Sequence, residues 1–352
     1  MELFLFAALG LGALTMLLYD DEPASNPSAQ SPEDGEDTPP PDEPATDGFQ
    51  VADGDTINGS SEADVFSLSD DVEGFFTAEL GGGDGDDRFD LTRPDGSAFL
   101  SSGTLDGGAG NDRFDVSGEV VTLRGGEGND TVSGDLTVSS VYGDGGDDLL
   151  RVTAGPSDPV RVYGGDGTDT LDGSGSFNIV LEGGAGDDLI VSDGAGSNGT
   201  GYSIIARGGA GDDTLSHTVE VLPPPAEFEE LPARLSGGTG ADAFTINLTI
   251  GEGSFEPGAD DPAVFTTPAG LLEDFELGSD SLTIDLGAIG DAYSAISARM
   301  IEDADNGTTD IILGLTDSTN PPNDIVIRIA ATGLSWNDVT FSGRDPTFLN
   351  AA

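Results

Sequence analysis

The sequence predicts an all-β protein, a solenoid with two strands in each coil, a C-terminal β cap, and a hydrophobic helix and disordered tether at the N-terminus. The first observation is eight copies of a Gly-Gly-x-Gly-x-Asp-x-apolar phrase. The second is that successive copies are never closer than 18 residues, which is twice a nine-residue strand-plus-turn unit. The third is that residues 251–352 change to short segments that alternate apolar and polar residues, as strands do. The copies begin at Gly82, Gly107, Gly125, Gly143, Gly164, Gly183, Gly208 and Gly237.

The N-terminal region divides into an apolar segment, residues 1–19, and an acidic segment, residues 20–49. Leu3 to Tyr19 are 17 residues without a charge, close to the length of about 20 residues that crosses a bilayer. We expect a membrane anchor or an atypical signal peptide, since no basic residue precedes the segment and no small-x-small cleavage site follows it. A buried soluble helix is the third interpretation. Residues 20–49 are rich in proline and acid and predict a disordered tether.

Charge and composition restrict the partners. The chain has 67 acidic residues against 11 basic ones, all arginine, and a formal charge of −56. Nucleic acid is therefore excluded as a partner, whereas divalent cations are natural ones. With no cysteine and one histidine, disulfides, thiolate metal sites and histidine-based zinc sites are also excluded.

The repeated turn has the properties of a calcium site. Glycine adopts positive φ without steric cost, so the backbone can direct its carbonyls toward one point, and the aspartate adds a carboxylate. Ca²⁺ requires six to eight oxygens at about 2.3–2.6 Å, more than one turn supplies, but two turns stacked about 4.8 Å apart could share an ion. A first alternative is a tight turn without metal, but such a turn would accept Asn or Ser at the sixth position. A second alternative is Mg²⁺, which demands a stricter octahedral shell than Ca²⁺. All eight copies keep the aspartate, at Asp87, Asp112, Asp130, Asp148, Asp169, Asp188, Asp213 and Asp242.

An apolar residue follows each of these aspartates by two positions. We expect it to point into the solenoid and form an apolar ladder along the axis. The residues are Phe89, Phe114, Val132, Leu150, Leu171, Ile190, Leu215 and Phe244. A weaker copy, Gly59 to Phe66, keeps the aspartate and the aromatic residue but loses most glycines, as capping repeats often do.

The repeats resemble those of the RTX, or hemolysin-type calcium-binding, family. The clearest are Gly107–Asp115 and Gly183–Val191, and Gly237–Phe244 followed by Leu272–Asp280 resembles the end of serralysin-type C-terminal domains. The resemblance implies a parallel β-roll, with calcium held between turns by backbone carbonyls and sixth-position aspartates, and a location outside the cytoplasm. The candidate ligands are Gly82, Asp84, Asp86, Asp87, Gly107, Ala109, Asn111, Asp112, Gly125, Glu127, Asn129, Asp130, Gly143, Gly145, Asp147, Asp148, Gly164, Asp166, Asp169, Gly183, Ala185, Asp187, Asp188, Gly208, Ala210, Asp212, Asp213, Gly237 and Asp242.

The sequence departs from the family pattern in three ways. Asp144 replaces a second glycine, and Thr168 and Ala241 add no carboxylate at the fifth position. The half-turns between the motifs lack the glycine turn altogether, so we expect one calcium column along a single edge and a metal-free turn at the other. Spacings of up to 29 residues predict surface insertions at residues 93–96, 194–201 and 221–231.

Residues 50–250 thus form the predicted RTX-like roll, and residues 251–352 the cap that covers its last edge. Asn306-Gly307 predicts a hairpin turn in the cap, and Trp336 part of its core. The single histidine, His217, follows a motif on a polar stretch and is expected at the surface.

The predicted function is that of a calcium-binding structural or adhesive protein that folds when calcium binds. It would lie outside the cell or in the cell envelope, with the N-terminal segment in the membrane and a cell-surface or extracellular polymer as a further partner. No His-Glu-x-x-His or Gly-x-Ser-x-Gly motif is present, so an enzyme is not expected. Two alternatives stay open: a calcium-dependent polysaccharide-active enzyme that uses arginines such as Arg113, Arg151 or Arg207, and a type I secreted effector or export module.

Overall fold

The computed structural model describes residues 47–93, 98–155, 159–194, 203–221, 233–250, 265–289, 293, 295–316 and 323–349. They belong to one compact unit, Pro44–Ala352. The predicted N-terminal helix, the tether before residue 47 and most of the predicted insertions lie outside these residues. Within the described part of the chain, no helix combines the length and apolarity needed to cross a membrane.

The described residues form strands and a single turn of 3₁₀ helix, Trp336–Asp338. In chain order the strands are β1 Asp47–Val51, β2 Asp55–Asn58, β3 Asp64–Leu68, β4 Gly74–Asp84, β5 Arg88–Asp90, β6 Ala98–Ala109, β7 Arg113–Glu127, β8 Thr131–Leu136, β9 Ser140–Gly145, β10 Leu149–Ala154, β11 Val160–Asp166, β12 Thr170–Asp172, β13 Ile179–Ala185, β14 Leu189–Gly194, β15 Ile204–Ala210, β16 Thr214–Val221, β17 Arg234–Thr239, β18 Ala243–Ile250, β19 Phe265–Leu272, β20 Ser281–Asp285, β21 Ala295–Asp303, β22 Thr308–Thr316, β23 Asn323–Ile329, β24 Val339–Ser342 and β25 Thr347–Phe348.

Two long ladders of parallel strands run through the molecule. The first ladder contains the strands that follow the motif aspartates. Its strands pair in the order β1-β3-β5-β7-β8-β10-β12-β14-β16-β18-β20-β24. The second ladder contains the strands that lead into the motifs. Its strands pair in the order β2-β4-β6-β7-β9-β11-β13-β15-β17-β19-β23. The chain thus alternates between the ladders, two strands per coil, and this all-β, mostly parallel arrangement fits a β-roll or β-solenoid.

Strand β7 shows how the chain crosses from one ladder to the other. Gly118 pairs with Leu136 in the first ladder and with Leu100 in the second. A Cβ at Gly118 would lie 2.8 Å from the carbonyl oxygen of Leu100, closer than real side chains approach. Glycine therefore permits one continuous strand to bend between the ladders.

The core lies between the inward faces of the two ladders. Strand β16 shows the alternation of partly exposed and buried residues that such a strand requires. The predicted apolar ladder is confirmed, since all eight residues from Phe89 to Phe244 are at most 1% exposed. The rings of Phe66, Phe89 and Phe114 stack with centroids 4.5 Å apart, which matches the spacing of neighbouring strands. Each such buried side chain stabilises the fold by about 1.5–3 kcal/mol.

The second ladder ends in antiparallel strands. β21 and β22 form a hairpin whose last pair is Asp303 and Thr308, and Gly307 adopts φ 71° in its turn. The predicted hairpin turn at Asn306-Gly307 is therefore confirmed. β22 then pairs with β23. Trp336 is half-buried and packs against the core with Phe341 and Phe348.

The prediction for His217 is wrong. It alternates with Leu215 and Val219 in β16, points inward and is only 3% exposed. Its Nδ1 lies 3.0 Å from the hydroxyl oxygen of buried Ser192, and burial lowers the pKa of the imidazole to about 4. The polar neighbours in the sequence indicated a surface, but the two-residue period of the strand decides the direction of the side chain.

Candidate metal centre

Each motif forms the corner at which a second-ladder strand turns into a first-ladder strand. In the corner that begins at Gly107, Gly108 has φ 108° and Gly110 has φ 139°. A Cβ at Gly108 would clash with the carbonyl oxygen of Gly83 in the preceding coil. The corner therefore needs glycine for its backbone conformation and for the close approach of the coil below.

The sixth-position aspartates stack along the inside of this edge. Asp112 is 2% exposed, and its Oδ1 accepts a hydrogen bond of 2.7 Å from the backbone N–H of Asp87. The N–H of Asp112 in turn donates to the Oδ1 of Asp130 at 2.7 Å. The same bond joins every successive pair from Asp64 to Asp242. The predicted register, with the aspartates one above another, is thus present as an aspartate ladder.

The second carboxylate oxygen has no hydrogen-bond partner in seven of these aspartates, although it is buried. An unpaired buried polar atom costs about 1–3 kcal/mol, and a charged one more. These oxygens are the Oδ2 atoms of Asp87, Asp112, Asp130, Asp148, Asp169, Asp188 and Asp213.

The unpaired oxygens lie beside the first glycine of their own corner. A Cβ at Gly107 would clash with the Oδ2 of Asp112 and lie 2.5 Å from the carbonyl oxygen of Gly125 in the next coil. Each such place, which we call a cradle, thus contains a buried carboxylate oxygen and a carbonyl oxygen of the next coil. Cradles of this kind occur at Gly82, Gly107, Gly125, Gly143, Gly164, Gly183 and Gly208.

Burial also changes the acidity of the ladder. It raises the pKa of Asp130, Asp148 and Asp188 to about 7, and that of Asp87, Asp112 and Asp213 to about 6. The backbone N–H bonds oppose this rise, while nearby carboxylates add to it. Without a counterion, these groups are poised to take up protons near neutral pH.

The fifth-position side chains form a second ladder on the outside of the corner. The Oδ1 of Asp86 accepts from the N–H of Asn111 at 2.8 Å, and the Oδ1 of Asn111 accepts from the N–H of Asn129 at 2.9 Å. Sixth-position side chains reach back toward the preceding coil, whereas fifth-position side chains reach forward to the next one. This role was not predicted from the sequence, although Asp or Asn at six of the eight fifth positions is a pattern that indicates it.

The third-position carbonyls also have partners. The carbonyl oxygen of Ala109 accepts from the N–H of Gly85 at 2.7 Å, and that of Glu127 accepts from the N–H of Gly110 at 2.8 Å. The predicted ligands thus all lie at the corners. From Ala109 onward the third-position carbonyls accept hydrogen bonds from the preceding coil, and most fifth-position oxygens accept from the next coil, whereas seven sixth-position Oδ2 atoms have no partner.

Hydrogen bonds close the aspartate ladder at its C-terminal end and only in part at its N-terminal end. Asp280 accepts from the N–H of Asp242 at 3.0 Å and from the N–H of Glu276 at 2.8 Å, so both of its oxygens are used. The carboxylate of Asp274 accepts from the N–H groups of Gly237 and Gly238. At the other end, the Oδ2 of Asp64 accepts from the N–H of Ser60 at 2.6 Å, while its Oδ1 is unpaired.

The opposite edge is organised by buried serines, which the sequence analysis also missed. The hydroxyl of Ser139 accepts from the N–H of Val121 at 3.1 Å and lies 2.8 Å from the carbonyl oxygen of Thr137. The hydroxyl of Ser176 accepts from the N–H of Ala154 at 2.9 Å. A hydroxyl both donates and accepts, so one serine can complete a turn that lacks the glycine motif.

Nowhere in the described ranges do three or more His, Cys, Asp or Glu side chains converge as a metal cluster. A cation in a cradle would therefore need backbone carbonyls besides the carboxylate. Such a donor set consists of hard oxygens, which suit Ca²⁺ and not a soft metal.

Fold and site define the class: an all-β, mostly parallel repeat protein with a buried aspartate ladder along one edge. The sequence matches no protein-family model. It also matches no curated protein.

Proposed function

We propose that the chain is a calcium-binding repeat module, in which the seven cradles between successive motif corners take up Ca²⁺. The observation that carries this proposal is the column of seven buried carboxylate oxygens without a partner. Each cradle offers the Oδ2 of its aspartate and the first-glycine carbonyl of the next coil. When bound, Ca²⁺ would supply the positive charge that these buried carboxylates lack.

The alternative occupant of the carboxylate is a proton. The raised pKa values permit protonation of the ladder in the absence of metal. Proton and Ca²⁺ therefore compete for the same oxygen. At millimolar calcium and neutral pH, the conditions outside cells, we expect calcium to prevail.

Calcium binding would be coupled to folding. A cation that binds only the stacked corners adds its binding free energy to the stability of the roll. In a low-calcium cytosol, the −56 charge favours an expanded chain, and outside the cytoplasm the chain condenses. We propose on this basis a structural or adhesive role outside the cell or in its envelope, which is the location that the resemblance to the RTX family implies. We propose that residues 1–19 hold the module at a membrane.

A structural role also agrees with two of the three arginines considered for lyase chemistry. The guanidinium of Arg207 lies 2.7 Å from the carboxylate of Glu182, and that of Arg151 lies 3.9 Å from Asp172. These arginines compensate neighbouring acids on the roll surface. We therefore propose a non-enzymatic module.

The test is a calcium titration of the metal-free chain, followed by calorimetry and circular dichroism. We expect about seven ions per chain and a gain of β signal, both reversed by a chelator. Mg²⁺ at the same concentration is the control and should produce less of the transition. An unchanged spectrum together with no heat of binding would refute the proposal.

A further inference from the structure

The regular repeat is interrupted at one corner. Asp144 occupies a second motif position, where the other seven copies have glycine, and it adopts φ 73°. A left-handed conformation costs a non-glycine residue about 1–2 kcal/mol, although Asp tolerates it better than most. The other seven corners have glycine at this position and do not carry this conformational cost.

The residue that precedes each motif is also unusual at this place. Tyr142 and Tyr163 occupy that position in neighbouring coils, and their rings stack with centroids 5.0 Å apart. Arg124, at the same position one coil earlier, lies 4.5 Å from the centre of the Tyr142 ring. Its guanidinium is also 3.2 Å from the carboxylate of Asp144. The other copies have Gly, Asp, Glu, Arg or Ser there, so the aromatic pair occurs once in the roll.

Asp144, Tyr142 and Tyr163 line a single recess of about 390 Å³ on the outer surface of the roll. It is lined by Tyr142, Tyr163, Asp144 and Asp166 and by small residues of the neighbouring corners, among them Gly165 and Gly184. The small residues leave peptide groups open to a ligand. Arg124 holds Asp144 at the rim through their ion pair.

We propose that this recess binds a neutral sugar residue of a glycan. The lining combines acceptors, the two carboxylates, with groups that donate and accept, the two phenol hydroxyls, and a sugar hydroxyl both donates and accepts. Tyrosine adds apolar area with a polar tip, a combination enriched at binding surfaces. The volume lies within the range of small-ligand sites, about 300–1,000 Å³.

The negative charge of the chain argues against acidic polymers as ligands of this recess. The chain carries a formal charge of −56, and Asp144 and Asp166 add negative charge at the recess itself. Uronic acid polymers and sulfated glycans would be repelled. Sugar binding rests on the proposed calcium binding only in that the corner must be folded, because the side chains that line the recess belong to Tyr142, Tyr163, Asp144 and Asp166 and not to the ladder aspartates.

A purely structural role of the tyrosine pair is the competing explanation. Cross-strand aromatic pairs stabilise sheets by about 0.2–1 kcal/mol without binding anything. On that explanation Asp144 is present because of its ion pair with Arg124, and a surface pair of this kind contributes only about 0–1 kcal/mol against the conformational cost. The variant Asp144→Gly tests the binding role, because it restores the motif of the other corners and removes the rim carboxylate together with its ion pair to Arg124.

The experiment measures binding of cellohexaose, fully N-acetylated chitohexaose and dextran to the calcium-loaded full chain, by affinity electrophoresis and tyrosine fluorescence. Alginate is the acidic probe and spermine the cationic one. We expect at least one neutral probe to bind and alginate not to bind. Asp144→Gly and Tyr163→Ala should each weaken binding about tenfold, a change of about 1.4 kcal/mol. Tyr163→Phe keeps the ring and should retain the fold if Tyr163→Ala does not.

The matched control is Arg88→Ala, which removes an exposed, ion-paired arginine of the first ladder. It should leave sugar binding unchanged. Absence of binding by all three neutral probes overturns the proposal, as does binding of spermine or alginate alone. Equal affinity of Asp144→Gly, Tyr163→Phe and the wild type would also overturn the placement at this recess. Calcium titration of the same samples reports separately on the calcium proposal.

Discussion

The backbone N–H of Asp112 donates a hydrogen bond of 2.7 Å to the Oδ1 of Asp130, 18 residues further along the chain. This bond uses one oxygen of the Asp130 carboxylate and leaves the other buried beside Gly125 without a partner. One residue thus joins two coils and offers an acceptor to a cation. Substitutions in the ladder and changes of pH separate these two roles.

Asp130→Asn should have opposite effects with and without calcium. The amide keeps an oxygen for the N–H of Asp112 but removes a carboxylate whose pKa is raised to about 7 by burial. Without metal, we expect the variant to be more stable than the wild type at pH 8, by on the order of 1–3 kcal/mol. With calcium, it should bind fewer ions and melt at a lower temperature.

Thermal unfolding with and without a chelator, together with calcium calorimetry, measures both effects. The control is Asp135→Asn, which changes an exposed aspartate of β8. A variant that loses stability equally in both conditions would show that the charge of Asp130 has no role in metal binding.

The metal-free roll should be more stable at pH 5 than at pH 8. Six aspartates of the folded ladder have pKa values of about 6 to 7, above the usual 3.8, so the folded state binds more protons in this range. Its contribution is complete below the unfolded pKa and disappears as pH rises through 6 to 7. His217 acts in the opposite direction, because its pKa is lowered to about 4. One histidine opposes several aspartates, so the aspartates should dominate.

Denaturant unfolding of the chelated protein at the two pH values measures this difference. Calcium affinity should change in the reverse sense and fall as the pH drops from 8 to 5, since protons compete for the Oδ2 atoms. Equal stability of the chelated protein at pH 5 and pH 8 would contradict the buried, unpaired state of the ladder.

Gly107→Ala should disable one cradle. The added Cβ would clash with the Oδ2 of Asp112 and lie 2.5 Å from the carbonyl oxygen of Gly125. This carbonyl belongs to the backbone of the next coil and cannot move aside as the end of a flexible side chain could. We expect a loss of stability of about 2 kcal/mol or more in the presence of calcium, and one ion fewer. Gly48→Ala is the control, because a Cβ there meets nothing within 4 Å. Comparable melting temperatures for the two variants would argue against the cradle.

Asp280→Ala should loosen the last coil before the rest of the roll. Asp280 accepts from the N–H groups of Asp242 and Glu276, and both would lose their partner. Each unpaired group costs about 1–3 kcal/mol where it is buried. Hydrogen exchange should show lost protection around Asp242 while the corners at Asp112 and Asp130 stay protected. The exposed Asp345 provides the control substitution to Ala. Uniform loss of protection would mean that the coils unfold as one unit.

Local features of the chain were predicted well because they repeat within a single unit. A glycine-rich corner, an aspartate at its sixth position and an inward apolar residue two positions later follow from short-range geometry, and the structure has them at the positions expected from Asp87 to Phe244. The hairpin turn at Asn306-Gly307 is local in the same sense.

The amino-acid sequence by itself thus determined the period, the corners and the residues that face the core. Only the tertiary structure decided which oxygen of each aspartate is used, why fifth-position residues such as Asn111 reach forward, why His217 is buried, and that the rings of Tyr142 and Tyr163 stack. The physical reason is distance along the chain. These contacts join residues 18 to 29 positions apart, so they depend on the register between coils, and no short stretch of sequence specifies that register.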